Sequence, residues 1–145
     1  MTTNFAVDNV GVGREPLLTM TVDTTTDMDF TQTDLDAGNI ACVISGNNEV
    51  GMGTTGYKLF GAVVAVSTDL DANDIPKHCT VQARGVARFN YTSTTPVINQ
   101  MVEVNGAGKV IQASADADIA AGGHLMRGQV MAVNTTDETC DVWLG

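Results

Sequence analysis

The sequence contains few basic, aromatic and cysteine residues, and each shortage narrows the range of possible functions. Seven Lys and Arg residues stand against 17 Asp and Glu residues, so the formal net charge at pH 7 is −10. Binding to nucleic acid or to an anionic membrane surface depends on cationic side chains that contact phosphate groups, and we therefore expect neither partner. The few aromatic residues are scattered along the chain rather than grouped as a platform for stacking bases.

Long apolar segments are also missing. The longest apolar run is Ala62–Val66, which is far too short to span a bilayer. The first residues, MTTNFAVDNVG, show no basic region followed by an apolar stretch, so we expect no secretory signal. Cys42, Cys79 and Cys140 are an odd number of widely spaced cysteines. They fit buried, reduced thiols in a protein made in a cytosol better than they fit a disulfide framework.

Motifs for catalysis and cofactor binding are absent from the sequence. It contains no G-x-S-x-G, H-E-x-x-H, Walker-type phosphate loop or C-x-x-C. The histidines are His78 and His124, and His78 is next to Cys79. Adjacent strand residues point to opposite faces, so this pair cannot easily form a catalytic dyad. We predict that the protein is not an enzyme and that it has no catalytic, cofactor-binding or metal-binding residues, no cofactor and no small-molecule substrate.

One acidic segment begins like a calcium-binding loop. Asp69, Asp71 and Asn73 have the spacing D-x-D-x-N. The sixth position of such a loop needs Gly but holds Asp74, and the twelfth needs Glu but holds Thr80. We interpret these carboxylates as solvated turn residues, with a looser ion site as the less favoured alternative.

The abundant residue types favour β-structure. Val occurs 18 times and Thr 19 times, whereas Leu occurs only seven times. β-Branched side chains fit a pleated sheet surface and lose rotamer freedom in a helix. The 15 Gly residues, together with clusters of Asn, Asp and Ser, supply turns. We predict an all-β fold, a compact β-barrel or β-sandwich with an extended N-terminal arm and at most one short helical turn.

The individual strand patterns are short and are separated by turn residues. Cys79, Val81 and Ala83 alternate with polar residues, as in a half-buried strand. Asn105-Gly106 is a hairpin signal, and Ser114–Ala121 is the predicted helical turn. The predicted strands are Leu17–Val22, Ile40–Ser45, Leu59–Ser67, Cys79–Ala83, Val86–Tyr91, Met101–Asn105, Lys109–Ile111, Gly128–Val133 and Thr139–Leu144.

The first 36 residues differ from the rest of the chain. They carry seven acidic residues and one basic residue and show little sustained alternation. We divide the chain into residues 1–36, an acidic N-terminal arm or loosely packed segment with one strand, and residues 37–145, a β-barrel or β-sandwich domain. An ordinary first strand with acidic loops is an equally weighted alternative. We expect the β-domain to stay folded when residues 1–36 are removed, with weaker binding to its partner.

An internal similarity links two strands. Gly61–Thr68 and Gly128–Thr135 share five of eight residues. A duplication would predict two related strand-plus-turn units in one barrel or sandwich. Chance is the alternative, because Gly, Val, Ala and Thr are common in this chain.

Two features bear on partner binding. Residues 77–115 contain four basic residues and one acidic residue. This local positive charge would suit docking on an acidic surface, although routine surface charge explains it slightly better. Trp143, in the last predicted strand, is expected to be a core or interface anchor, with a sugar-binding platform as the alternative.

Four segments carry a resemblance to a known family: Val81–Val86, Val102–Val110, Gly128–Val133 and Cys140–Leu144. Their Gly-punctuated β-patterns, VQARGV, VEVNGAGKV, GQVMAV and CDVWL, resemble those of small β-rich head proteins of tailed bacteriophages that act as capsid cement or decoration. The resemblance extends over Gly61–Leu144, a little over half of the chain.

The resemblance implies a compact β-barrel or β-sandwich that binds the outer surface of the phage head at junctions of major capsid subunits and stabilises the shell. It implies the major capsid protein as partner, a homotrimer, and a place on the virion surface after synthesis in the host bacterial cytoplasm. It implies no catalytic residues. A modest affinity per copy would suffice for such a clamp, since symmetry repeats the contact many times.

Two other functions remain open. A head-fibre or tail-associated module that binds a receptor or glycan would share the β-content and the acidity, and it would need an exposed aromatic cluster. A small trimeric β enzyme acting on nucleotides would need convergent carboxylates and a phosphate-binding set of residues, which the sequence does not show.

Overall fold

The part of the chain that the structure describes is mostly β, with one short helix. A computed structural model of the chain describes residues 17–114 and 128–145, and within those ranges it contains ten strands and one helix. The elements are β1 (Leu17–Val22), α1 (Gln32–Asp36), β2 (Ile40–Gly46), β3 (Glu49–Gly51), β4 (Gly61–Val66), β5 (His78–Gln82), β6 (Val86–Asn90), β7 (Val102–Val104), β8 (Val110–Gln112), β9 (Gln129–Asn134) and β10 (Thr139–Trp143). The predicted all-β fold class is confirmed.

The first five strands form a closed barrel, which we call the first barrel. Their order around it is β1-β3-β2-β4-β5, and β1 closes it by pairing parallel with β3 and antiparallel with β5. Side chains alternate between the inside and the outside because successive strand residues face opposite sides of a sheet. The interior cluster contains Met20, Val22, Phe30, Ile40, Cys42, Val50, Val63, Ile75, Cys79 and Val81.

The described part of the acidic N-terminal segment belongs to this barrel. β1 supplies two inward side chains, and Phe30 is fully buried beside them. Asp34 stabilises the start of α1, because its Oδ2 accepts hydrogen bonds from the Thr31 backbone N–H (2.7 Å) and from the Thr31 hydroxyl (2.9 Å). Residues 17–36 are therefore packed rather than extended, and a division at residue 36 cuts through the first barrel. The remainder of the predicted arm, residues 1–16, lies outside the described residues.

The last five strands form a second arrangement, which we call the second ring. β6, β10 and β9 make a three-stranded sheet, and β7 and β8 make a two-stranded sheet. Two isolated bridges join these sheets. Met101 pairs antiparallel with Gln129 of β9, and Tyr91 pairs parallel with Val110 of β8. The order around the second ring is therefore β6-β10-β9-β7-β8.

The first barrel and the second ring have the same topology. Matching β1–β5 with β6–β10 in chain order reproduces every neighbouring pair of strands. In each unit the first and third strands are parallel, and the other four pairs are antiparallel. The internal similarity between Gly61–Thr68 and Gly128–Thr135 falls on β4 and β9, which occupy equivalent places. Sequence and topology together thus favour duplication over chance.

The equivalence extends to single residues. Val64 in β4 and Met131 in β9 are the extra residues of two bulges, at which the register against β5 and β10 shifts. Cys79 and Cys140 are buried at matching positions of β5 and β10. Residue numbers in the second ring can therefore be compared one by one with those in the first barrel.

One apolar cluster joins the two units. Ala41, Val43 and Ala62 face out of the first barrel and pack with the interior of the second ring. Backbone hydrogen bonds cross the junction, such as the one from Ala41 N–H to Gly108 O (2.8 Å). The members of this cluster from the second ring are Ala87, Phe89, Tyr91, Val102, Val104, Val110, Val130, Cys140, Val142 and Leu144.

Most predicted strands are confirmed, with ends that shift by one or two residues. The two predicted hairpins, β7–β8 and β9–β10, are also present. β3 and α1 were not predicted, and a helical turn was predicted at Ser114–Ala121. All of that predicted turn except Ser114 falls outside the described residues.

Candidate interaction surfaces

The three cysteines are free and buried, as the sequence predicts. Desolvation by burial raises the pKa of Cys79 to about 12 and that of Cys140 to about 11, with a smaller contribution from Asp141 at Cys140. Cys42 Sγ donates a hydrogen bond to Gly61 O (3.4 Å). A thiol that stays protonated is a poor nucleophile. Cys79 and Cys140 therefore offer no reactive thiolate at neutral pH.

This burial predicts slow alkylation of the native protein. At pH 8 we expect iodoacetamide to leave all three thiols unmodified in buffer and to modify all three in urea, as read by mass spectrometry. Unfolded cysteines titrate near pH 8.5, well below the pKa values of Cys79 and Cys140 in the fold. Their burial therefore lowers stability only above about pH 8.5, where the unfolded chain loses protons that the native chain keeps. Rapid labelling of a native thiol would contradict this assignment.

His78 forms no dyad with the adjacent Cys79. His78 is exposed and its neighbour Cys79 is buried, so the two side chains lie on opposite faces of β5, as predicted. His124 lies outside the described residues. Across residues 17–114 and 128–145, no helix is long and apolar enough to cross a membrane.

The segment that begins like a calcium loop uses its carboxylates locally. Asp71 Oδ1 accepts hydrogen bonds from the backbone N–H groups of Asn73 (2.8 Å) and Ile75 (3.0 Å). Asp69 lies 3.6 Å from Lys77 Nζ. Among the described residues, no group of three or more His, Cys, Asp or Glu side chains could hold a metal ion. The Asp71 carboxylate therefore holds the turn, and the Asp69 carboxylate pairs with Lys77.

The predicted basic patch is partly neutralised. Arg88 binds Asp141 through two hydrogen bonds, Nε to Oδ1 (2.6 Å) and Nη2 to Oδ2 (2.9 Å). The pKa of Asp141 is lowered mainly by this hydrogen bonding with Arg88. Lys77 faces Asp69, as described above. Two of the four basic residues thus have acidic neighbours, which favours routine surface charge over a dedicated docking patch.

An apolar row crosses the outer face of the second ring. Val86, Trp143, Gln129 and Met101 are successive cross-strand partners. Trp143 is 50% exposed, and Val86 and Met101 are exposed to a similar degree. Trp143 is therefore a surface residue rather than a core residue, and an exposed Trp on a sheet is typical of an interface anchor. We call these four residues the Trp143 row.

An apolar groove lies at one end of the first barrel. Ile44, near the end of β2, is 58% exposed, and Tyr57 is exposed beside it. Lys58 is the charged residue of the lining, and it has no acidic partner there with which to form an acid–base pair. The groove has a volume of about 430 Å³ and is lined by Val43, Ile44, Tyr57, Lys58, Leu59 and Phe60. It suits an apolar side chain of a partner, and we call it the Ile44 groove.

A loop between β6 and β7 exposes two neighbouring apolar side chains, Val97 and Ile98, and Ile98 is 60% exposed. The loop is held in place, because Val97 N–H donates to Gln112 Oε1 (2.8 Å) and Asn99 N–H donates to Val130 O (2.8 Å). A loop that is already fixed loses little conformational entropy when it binds. We call it the Val97–Ile98 loop.

Comparisons with protein-family models and with curated proteins find no match for this chain. They therefore assign no family to it.

Sequence analysis identified Trp143 but missed the other exposed apolar residues. Ile44 and Met101 lie in apolar, alternating patterns that predict burial, and only tertiary packing shows that they are uncovered. Ile98 had a signal that could have been used, since it lies beside Val97 and two residues after Pro96, in a segment with loop composition. Apolar pairs in a loop are candidates for binding.

Proposed function

We propose that this protein is a structural cement (decoration) protein that binds the outer surface of a tailed-phage head at junctions of major capsid subunits and stabilises the shell. Its partner is the major capsid protein. Its copies associate with one another as a homotrimer, which is the oligomeric state that the resemblance implies. It is made in the host bacterial cytoplasm and acts on the virion.

The chemistry of the described surface supports binding rather than catalysis. The cysteines are buried, and burial raises the pKa of Cys79 and of Cys140. His78 and Cys79 lie on opposite faces of β5, and the lining of the Ile44 groove has no acid–base pair. Apolar side chains are instead exposed in groups on strands and fixed loops. Grouped apolar exposure of this kind marks protein–protein contact surfaces. A nucleotide-processing enzyme is the least supported of the three functions.

The single observation that carries the proposal is the Val97–Ile98 loop. Two adjacent β-branched side chains project from a loop that is tied to β8 and β9 by hydrogen bonds. Such a rigid apolar tip can enter a recess on a shell subunit without first being ordered. The many copies on a head would multiply a modest affinity per tip.

The proposal is tested by adding the protein back to heads from which it has been removed. We expect Ile98→Asp to lower the affinity for heads roughly 30-fold or more, since a charge would be buried in place of an apolar anchor. Leu70→Asp is the matched control, because Leu70 is also an exposed apolar loop residue and lies on the first barrel. Co-sedimentation measures affinity, and cryo-electron microscopy of the heads measures occupancy at fixed sites.

Two outcomes would overturn the proposal. One is absence of the wild-type protein from the outer surface of native virions. The other is binding of Ile98→Asp to heads with the affinity of the control variant.

A glycan-binding module is the second candidate, and the exposure of Trp143 favours it. Trp143 and Tyr57, the large exposed aromatic residues of the described ranges, lie on different units and form no cluster. A sugar platform would bind glycans without heads, and the fluorescence of Trp143, the only Trp of the chain, would change on titration with host-surface glycans. An unchanged signal together with binding to heads supports the cement function.

A further inference from the structure

The junction between the two units contains two complementary parts. On the first barrel, Ala41 and Ala62 are cross-strand partners that face outward and are fully buried by the second ring. On the second ring, Val104 at the end of β7 is fully buried in the same apolar cluster. One unit thus offers an outward row, and the other offers the end of its second strand.

The outward row of the first barrel has an uncovered equivalent on the second ring. In the first barrel the row runs across Leu17, Gln82, Ala62 and Ala41. The matching row of the second ring runs across Val86, Trp143, Gln129 and Met101, which is the Trp143 row. The row is covered at its Ala41 end in the first barrel, but Met101 at the matching end of the second ring is 41% exposed.

The strand end of the second ring also has an uncovered equivalent. Val104 pairs with Val110, and at the matching place of the first barrel Ile44 pairs with Val50. Val104 is buried at the junction, whereas Ile44 stands exposed at the Ile44 groove. Each part of the internal junction therefore has an exposed equivalent on the other unit. The outward row of the first barrel corresponds to the Trp143 row of the second ring, and the strand end at Val104 corresponds to the strand end at Ile44.

We infer that copies of this chain bind one another head to tail, with the Ile44 groove of one copy seated on the Trp143 row of the next. The contact repeats between chains the association that the two units make within one chain. The large side chains of Trp143 and Met101 enter the apolar groove of about 430 Å³ beside Ile44. The occupant of each surface is thus a second copy of this chain.

A contact between two different surfaces has a definite consequence for assembly. It is heterologous, so an open row of copies keeps one unused surface at each of its two ends until it closes into a ring. A two-fold contact of the Trp143 row with itself would instead stop at a dimer. The inference rests on the association of copies in the proposed function and deepens it by naming the contact, and it can be tested on the free protein without phage heads.

The test uses two single variants and their mixture, with mass measured by size-exclusion chromatography and light scattering. The wild type is expected to have a mass several times the 15.2 kDa of one chain. We expect Ile44→Asp and Trp143→Asp each to be monomeric, with affinity between copies lowered roughly 100-fold or more. An equimolar mixture should form a one-to-one dimer, because Trp143 of the first variant and Ile44 of the second are both intact.

Controls separate a lost contact from a lost fold. Leu70→Asp carries the same charge on an exposed apolar site outside both surfaces and should keep the wild-type mass. Dimer formation in the mixture is a readout that an unfolded variant cannot give. The inference is overturned by a monomeric wild type, by a wild-type mass for either single variant, or by a mixture that stays monomeric. Loss of binding to heads by Ile98→Asp with unchanged mass would leave this contact standing.

Discussion

A chain that begins at Ala37 is expected to lose the first barrel. Removing residues 1–36 deletes β1, which closes the barrel between β3 and β5, and also takes Phe30 out of the interior. The open edges and the uncovered apolar interior then favour aggregation. Far-UV circular dichroism should show no cooperative thermal transition for residues 37–145, whereas the full chain should show one.

The matched control for this truncation is a chain that begins at Leu17. It keeps all of the first barrel that the structure describes, and we expect it to unfold cooperatively. If residues 37–145 alone gave a native-like transition, the barrel would not depend on β1. The separate acidic arm expected from the sequence would then be the better description.

Phe89→Ala is expected to lower the free energy of unfolding by about 3–5 kcal/mol. Phe89 is fully buried in the cluster that joins the two units, so the lost ring leaves a cavity at the centre of the molecule. The loss is a large fraction of the total stability of a domain of this size. Urea unfolding followed by the fluorescence of Trp143 measures the change.

The equivalence of the two units supplies the control for this substitution. Met20 holds the matching position of the first barrel, since Met20 pairs with Cys79 as Phe89 pairs with Cys140. Phe89→Met should therefore cost less than Phe89→Ala, because the longer Met side chain fills more of the space that the ring leaves. Equal destabilisation by the Ala and Met variants would contradict the matching of these positions.

The local features of the fold could be predicted from the sequence. Alternation at Cys79 and Val81 and the Asn105-Gly106 turn identified β5 and the β7–β8 hairpin, because side-chain period and turn chemistry are local properties. β3 is only three residues long and too short to show a period. α1 was not predicted, because its segment was interpreted from its acidic composition. Thr31 and Asp34 nevertheless have the spacing of a capping interaction.

The closure of each unit and the exposed surfaces could not be predicted in the same way. The second ring is completed by single bridges, such as Tyr91 with Val110, which join residues far apart in the chain. Burial is likewise a tertiary property. Ile44 and Val104 occupy equivalent strand ends with similar side chains, yet Ile44 is exposed and Val104 is buried. No local pattern distinguishes them, since the difference arises from the neighbour that covers only one.

Two units with one strand order also create competing partners while the chain folds. Because β10 is the equivalent of β5, β1 can pair with β10 in the register in which it natively pairs with β5. Mispairing between repeats is a common route to misfolding. The ion pair on the outer face of β6 and β10 opposes this error. Arg88 faces Asp141, whereas the matching positions of the first barrel hold the uncharged pair Thr19 and Thr80. If β1 paired with β10, Asp141 would lose its contact with Arg88. The Arg88–Asp141 ion pair therefore favours the correct pairing of β6 with β10.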